Sequence, residues 1–308
     1  MRRFFTLSFI ALAALILLPP VWFRVFPAEP PPELPAADRA ISVGDGVSVS
    51  AIVRGRGKPV VLVHGLPGSG HDWAPLTELL AARGHRVFAY DRVGYGRSDA
   101  RRNGEFTADG SARDLLALLE GEQLSDVTVV GWSYGGATAI RAARRDPSRI
   151  GRLVLVGSAG YWPDAPGEPA FAAILFSTPV MAWLASVPPV GRAVQSVFSR
   201  QAFGEEPMPE WWLPQLAANV ASPHTVATNS EEGAQMSWGE ELDVAPLDLP
   251  ILVIHGDDDR LVPLEVGELI AQRSRRSQLM VLEGGSHMLP ITRPDELAKR
   301  IAPFVYVQ

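Results

Sequence analysis

The chain has 308 residues, 47% hydrophobic and 20% charged, with a net charge of −6. This is a globular balance, long enough for one large α/β domain with an elaboration, and the acidic sign, with a pI near 5.6, excludes a polyanion-binding surface and so a nucleic-acid partner. The absence of cysteine removes disulfides, thiolate metal sites and a cysteine nucleophile together.

At the N-terminus, Arg2 and Arg3 precede an apolar run from Phe4 to Leu18, which continues after Pro19 and Pro20 through Val21, Trp22 and Phe23. That is about the 20 residues a helix needs to cross a bilayer. The small-x-small match from Ala11 to Ala13 lies inside the run, and Phe26 and Glu29 spoil later cleavage positions. Residues 1–26 therefore read as an uncleaved membrane anchor in preference to a signal peptide. The early arginines hold the N-terminus inside, although Arg24 opposes them, so the expectation is a membrane-anchored protein with its catalytic domain outside the cytoplasm. Signal cleavage would instead give a secreted or periplasmic product. Residues 27–40 include PAEPPPELP, five prolines in nine positions, a polyproline-like linker.

The folded core is expected over 41–160 and 247–308. It opens with VSVSAIVRG, which alternates as a half-buried antiparallel strand does. Six short apolar runs follow: Val60–Val63, Val87–Tyr90, Val127–Val130, Leu153–Val156, Ile251–Ile254 and Leu279–Leu282. Such runs fit strands covered on both faces. Helical spacing over Ala74 to Arg83, Ala112 to Leu119 and Gly136 to Arg145 gives a β-α-β-α order and a mostly parallel sheet flanked by helices. The rhythm stops over 161–246, which is rich in Trp, Pro and Ala and reads as a helical lid inserted over the sheet's C-terminal edge.

The strand ending at Val130 leads into Gly131-Trp132-Ser133-Tyr134-Gly135-Gly136 and then into ATAIRAARR, which is plainly helical. This is G-x-S-x-G in its strand-turn-helix setting, where a sharp turn lifts a hydroxyl above the sheet. Ser133 is the expected nucleophile. A serine at its ordinary pKa needs a histidine base and a carboxylate that orients it. Of six histidines, His287 lies in Glu283-Gly284-Gly285-Ser286-His287, just beyond the last apolar run, and is the expected base. The carboxylate belongs to the loop after the preceding strand, which carries Asp257, Asp258 and Asp259. Asp259 is favoured, because the third position after Gly256 brings the chain back toward the His287 loop. Two N–H donors are needed where an oxyanion forms: one is Tyr134, and the other is Leu66 in HGLPGSG, since Pro67 cannot donate.

HGLPGSG, YDRVGYGRSD, GWSYGG, IHGDDDRLVP and GGSH, in this order, resemble the α/β-hydrolase superfamily over roughly Val43 to Val305, and most closely its lid-bearing serine hydrolase and esterase branch. The resemblance implies an eight-stranded sheet, a lid after the sixth strand and a Ser-Asp-His triad at Ser133, Asp259 and His287. Haloalkane dehalogenases and epoxide hydrolases use Asp where this chain has Ser133, and proline iminopeptidases usually have a doubled glycine where it has Leu66, so these activities are disfavoured. The expected activity is hydrolysis of a carboxylic ester or related acyl bond in a small, largely apolar substrate. The alternatives are a carbon–carbon bond hydrolase or perhydrolase with the same triad and, in another class, a ligand-binding protein with vestigial turnover. No metal or organic cofactor is implied.

Overall fold

The computed structural model describes residues 38–101, 106–163, 188–220, 223–235 and 238–308. The strands are β1 (Arg39–Ser42), β2 (Ser48–Arg54), β3 (Lys58–Val63), β4 (His85–Tyr90), β5 (Val127–Trp132), β6 (Ile150–Val156), β7 (Ile251–Gly256) and β8 (Ser277–Leu282). They form one sheet in the order β1-β2-β4-β3-β5-β6-β7-β8. β1 and β2 pair antiparallel, as do β2 and β4, and every later pair is parallel.

Helices α1 (Ala74–Ala82), α2 (Ala108–Gly121) and α3 (Tyr134–Arg145) connect the central strands, and α7 (Leu264–Arg273), α8 (Leu289–Thr292) and α9 (Pro294–Phe304) complete the C-terminal part. Three more, α4 (Pro188–Phe203), α5 (Trp212–Val220) and α6 (Pro223–Ala234), lie between β6 and β7.

Alternate residues of the same strands enter two different cores. Val61, Val63, Val129, Leu153, Leu155 and Val253 pack on one face with Leu115 and Leu119 of α2 and Ile140 of α3. Val60, Leu62, Val130, Val154, Val156 and Ile254 pack on the other with Leu76 and Leu80 of α1 and Ile301 of α9. Burial on both faces is why these strands are nearly continuous apolar runs. β8 departs from that expectation: it is the last strand of the sheet, and Leu279 and Val281 stay 37% and 43% exposed.

The expected membrane anchoring is corrected here. No helix among the described residues is long and apolar enough to cross a membrane. The longest described element of the insertion, α4, has 16 residues, about 24 Å of rise against a hydrocarbon layer of about 30 Å, and it includes Arg192 and Arg200. Residues 1–26, on which the anchor and signal-peptide readings fall, and the first part of the linker lie outside the described residues.

Candidate active site

The parallel strands all end at one edge, and the loops leaving that edge carry the candidate site residues. Ser133 joins β5 to α3 with φ 55° and ψ −123°, a left-handed conformation costly for a non-glycine residue. The glycines two positions to either side permit the turn by having no side chains. A Cβ on Gly131 would lie 2.4 Å from the Gly135 carbonyl oxygen, and one on Gly135 would lie 2.2 Å from that of Val63. The Ser133 N–H donates to the Val156 carbonyl at 3.1 Å, fixing the turn to the end of β6.

The residue after Val156 is Gly157, where a Cβ would meet Asp259 Oδ2 at 3.0 Å and His287 Nδ1 at 3.4 Å. These two side chains therefore lie one residue along β6 from the strand end that holds Ser133. The His287 Nδ1–Asp259 Oδ2 separation is 2.8 Å, and both side chains are buried. Asp259 Oδ1 accepts from the N–H groups of Leu261 and Val262 at 3.0 and 2.8 Å. Burial pushes this carboxyl up, but the charge of His287 and the hydrogen bonds from His255 and His287 outweigh it, holding it well below the usual carboxylate range. The tautomer that donates from His287 Nδ1 to Asp259 is the one that leaves the Nε2 lone pair free. The loop bearing the imidazole is tied down by Trp132, whose indole N–H donates to the His287 carbonyl at 2.8 Å.

The other aspartates of the run do different things. Asp257 accepts from the Gly284 N–H at 2.6 Å, bridging two loops, and Asp258 pairs with Arg260.

Gly65, the residue before Leu66, and Tyr134 both adjoin the serine. A Cβ on Gly65 would be 3.6 Å from Ser133 Oγ, and Tyr134 is the first residue of α3, so its N–H has no intrahelical acceptor. His64 is fully buried: its Nε2 accepts from the Arg92 N–H and its Nδ1 donates to the Gly65 carbonyl, both at 2.9 Å. Burial, reinforced by the charge of Arg92, holds this imidazole well below its ordinary pKa and hence neutral. Among the described residues, no cluster of His, Asp and Glu is arranged to hold a metal ion.

A family model for the alpha/beta hydrolase fold matches residues 58–294, more than half of the chain. The chain belongs to this family. A non-heme chloroperoxidase of Streptomyces lividans is 32% identical over 270 residues, covering 81% of this chain and 92% of that protein. Among solved structures, an esterase from Rhodococcus sp. ECU1013 superposes with a TM-score of 0.71 at 25% identity, covering 87% of this chain and 98% of the other. A meta-cleavage product hydrolase superposes with a TM-score of 0.70 at 26% identity, covering 86% and 97%. The protein is accordingly an enzyme, a hydrolase of the α/β fold, as its motifs led one to expect.

Trp132 occupies a variable position of the pentapeptide and, like Gly157, Glu206 and Glu232, carries no functional signal in the sequence of this hydrolase. Glu206 accepts from the N–H of Ser286, next to His287, at 2.9 Å, yet it is 80 positions away in the chain. Nothing in local spacing signals such a contact.

Proposed function

We propose that this hydrolase cleaves carboxylic esters of small, largely apolar substrates, with Ser133 as nucleophile, His287 as base, Asp259 as its orienting carboxylate, and the Leu66 and Tyr134 N–H groups as oxyanion donors. The observation that carries the reading is the buried 2.8 Å contact between Asp259 and His287, beside a strained serine. In the first half-reaction His287 Nε2 takes the Ser133 proton as Oγ bonds to the ester carbon. The tetrahedral oxyanion is met by the two N–H groups, and its collapse expels the alcohol, which takes the proton from Nε2. In the second half-reaction water attacks the acyl-enzyme with the same proton transfers, releasing the acid and restoring Ser133. We further propose that residues 161–246 act as a lid over the site. Its helices α5 and α6 meet the loops around Ser133 through Gln215, Asn219 and Glu232.

The test is a series of p-nitrophenyl acyl esters of increasing chain length, with Ser133→Ala as reference. Saturable turnover that vanishes in the variant is expected; turnover retained above roughly a hundredth would remove Ser133 from its role. A second reading is cleavage of a carbon–carbon bond, or perhydrolysis, by the same groups. It is favoured by the similarity to a meta-cleavage product hydrolase and to a non-heme chloroperoxidase. A β-diketone substrate, and esters assayed with hydrogen peroxide as competing nucleophile, separate these from simple ester hydrolysis.

A further inference from the structure

Behind the two proposed oxyanion donors lies a buried pair of opposite charges. Arg92 follows β4, and Glu232 lies 140 positions further on, in α6 of the insertion. Arg92 Nη1 donates to Glu232 Oε1 at 2.5 Å, and each side chain is 1% exposed. Glu232 also accepts from the Tyr95 hydroxyl at 2.7 Å and from Ser111 Oγ at 3.0 Å. The other end of the guanidinium reaches the catalytic edge, where Nη2 donates to the Gly65 carbonyl at 3.0 Å. The same carbonyl accepts from His64 Nδ1, and His64 takes that tautomer because its Nε2 accepts from the backbone N–H of Arg92.

The Gly65 carbonyl and the Leu66 N–H belong to a single planar peptide and point in opposite directions. Two donors that hold the oxygen therefore aim the N–H, and a cation on the oxygen polarises the peptide and strengthens the N–H as a donor. Arg92 also lies over the ring of Tyr134, 4.8 Å from its centroid, so it touches the residue that carries the second donor. Stability gives little reason for the pair, since buried ion pairs are commonly matched or exceeded by apolar replacements of similar volume.

We propose that Arg92, held in place by Glu232 of the insertion, is a positioning residue that orients the oxyanion hole through the Gly65–Leu66 peptide and the Tyr134 ring. This rests on the assignment of Leu66 and Tyr134 as the oxyanion donors. Substrate binding does not require that orientation, whereas the charged intermediate does, so the effect falls on kcat and not on KM.

The experiment compares the full chain with Arg92→Lys and with Arg92→Met/Glu232→Met. The double variant leaves neither charge unpaired. The Lys variant keeps a cation for Glu232 but cannot fork to the Gly65 carbonyl as well. Tm, kcat and KM on p-nitrophenyl butyrate, and inhibition by an aryl trifluoromethyl ketone, whose serine adduct bears an oxyanion, are measured for each. In both variants kcat falls about 10- to 100-fold with KM within about threefold, and affinity for the ketone falls in parallel with kcat, short of the 10²- to 10³-fold loss that follows deletion of a donor. A double variant with wild-type kcat and ketone affinity overturns the proposal, and so does an Arg92→Lys enzyme with both unchanged if the double variant does not fold. Labelling by a fluorophosphonate separates the two assignments. A wild-type enzyme not labelled at Ser133 removes the oxyanion hole itself, and the proposal with it. Labelled wild type with unaffected variants removes only the role of Arg92.

Discussion

At Ser133 the backbone is held in a conformation that costs on the order of 1–3 kcal/mol for a residue with a side chain. Ser133→Ala keeps the Cβ and therefore the strain, so it should abolish turnover with Tm nearly unchanged. Ser133→Gly should be equally inactive but raise Tm, by about 2–4 °C for each kcal/mol relieved; calorimetry of the pair checks this, and equal midpoints would show that the turn is not strained. Among the three consecutive aspartates, Asp259→Asn should lower kcat by orders of magnitude, because an amide at His287 Nδ1 can impose the wrong tautomer. Asp257→Asn and Asp258→Asn remove only a loop bridge and a surface ion pair, and steady-state kinetics should place both within about threefold of wild type. Ser133, His287 and Asp259, the groups proposed as nucleophile, base and carboxylate, stand out in the sequence because each occupies a loop that directly follows a strand, so that strand order alone brings them to one edge. Trp132 does not, since the acceptor of its indole N–H, the His287 carbonyl, is 155 positions away.

The elements show where pattern is enough and where it is not. Apolar runs identified β3 to β7 because these strands are covered on both faces, whereas β1 has only four residues, three of them exposed, and offers no such run. The short 3-10 turn Gly70–Trp73 holds a carboxyl whose behaviour sequence gives no hint of. Asp72 accepts from the Ser69 N–H and from Gln215 of α5, but burial dominates and pushes its pKa up to about 7. Asp91, under the same loop, is pushed by burial to about 6. A raised carboxyl favours the folded state while protonated, so its contribution is complete below the ordinary value near 4 and is lost as pH rises through the folded value. Asp72 and Asp91 therefore contribute a falling component of stability between about pH 4 and pH 7, opposed by a rising one from His64, His71 and His85, whose pKa values burial lowers, and Asp72→Asn should remove the Asp72 share of the fall. Urea unfolding across this range measures it, and parallel profiles for the two proteins would refute the assignment. Trp132→Phe, which leaves the buried His287 carbonyl without its donor, should cost about 1–3 kcal/mol and lower kcat with little effect on KM.

For the molecule as a whole, the insertion between β6 and β7 is joined to the sheet domain by buried polar contacts at widely separated points. Glu206 accepts from Ser286 N–H and Thr292 Oγ1 and pairs with Arg293, while Asn219 donates to the Gly68 carbonyl and Glu232 holds Arg92. Glu206→Gln should lower stability by about 1–3 kcal/mol and reduce kcat through the His287 loop, whereas Glu205→Gln, on an exposed side chain, should do neither. None of these contacts could be read from composition, which gave the insertion only as a Trp-rich helical stretch. Its two ends nevertheless meet: the Trp162 N–H donates to the Trp238 carbonyl at 2.9 Å, and the two rings pack edge to face. The segment therefore leaves and re-enters the sheet domain at almost one point, the geometry in which a foreign insertion is spliced in with least disturbance of the host frame. Exchange of this stretch with that of another hydrolase then depends on more than matching the splice points: a transplanted segment that brings no acid to Arg92 strands a buried cation against the Gly65 carbonyl and the Tyr134 ring.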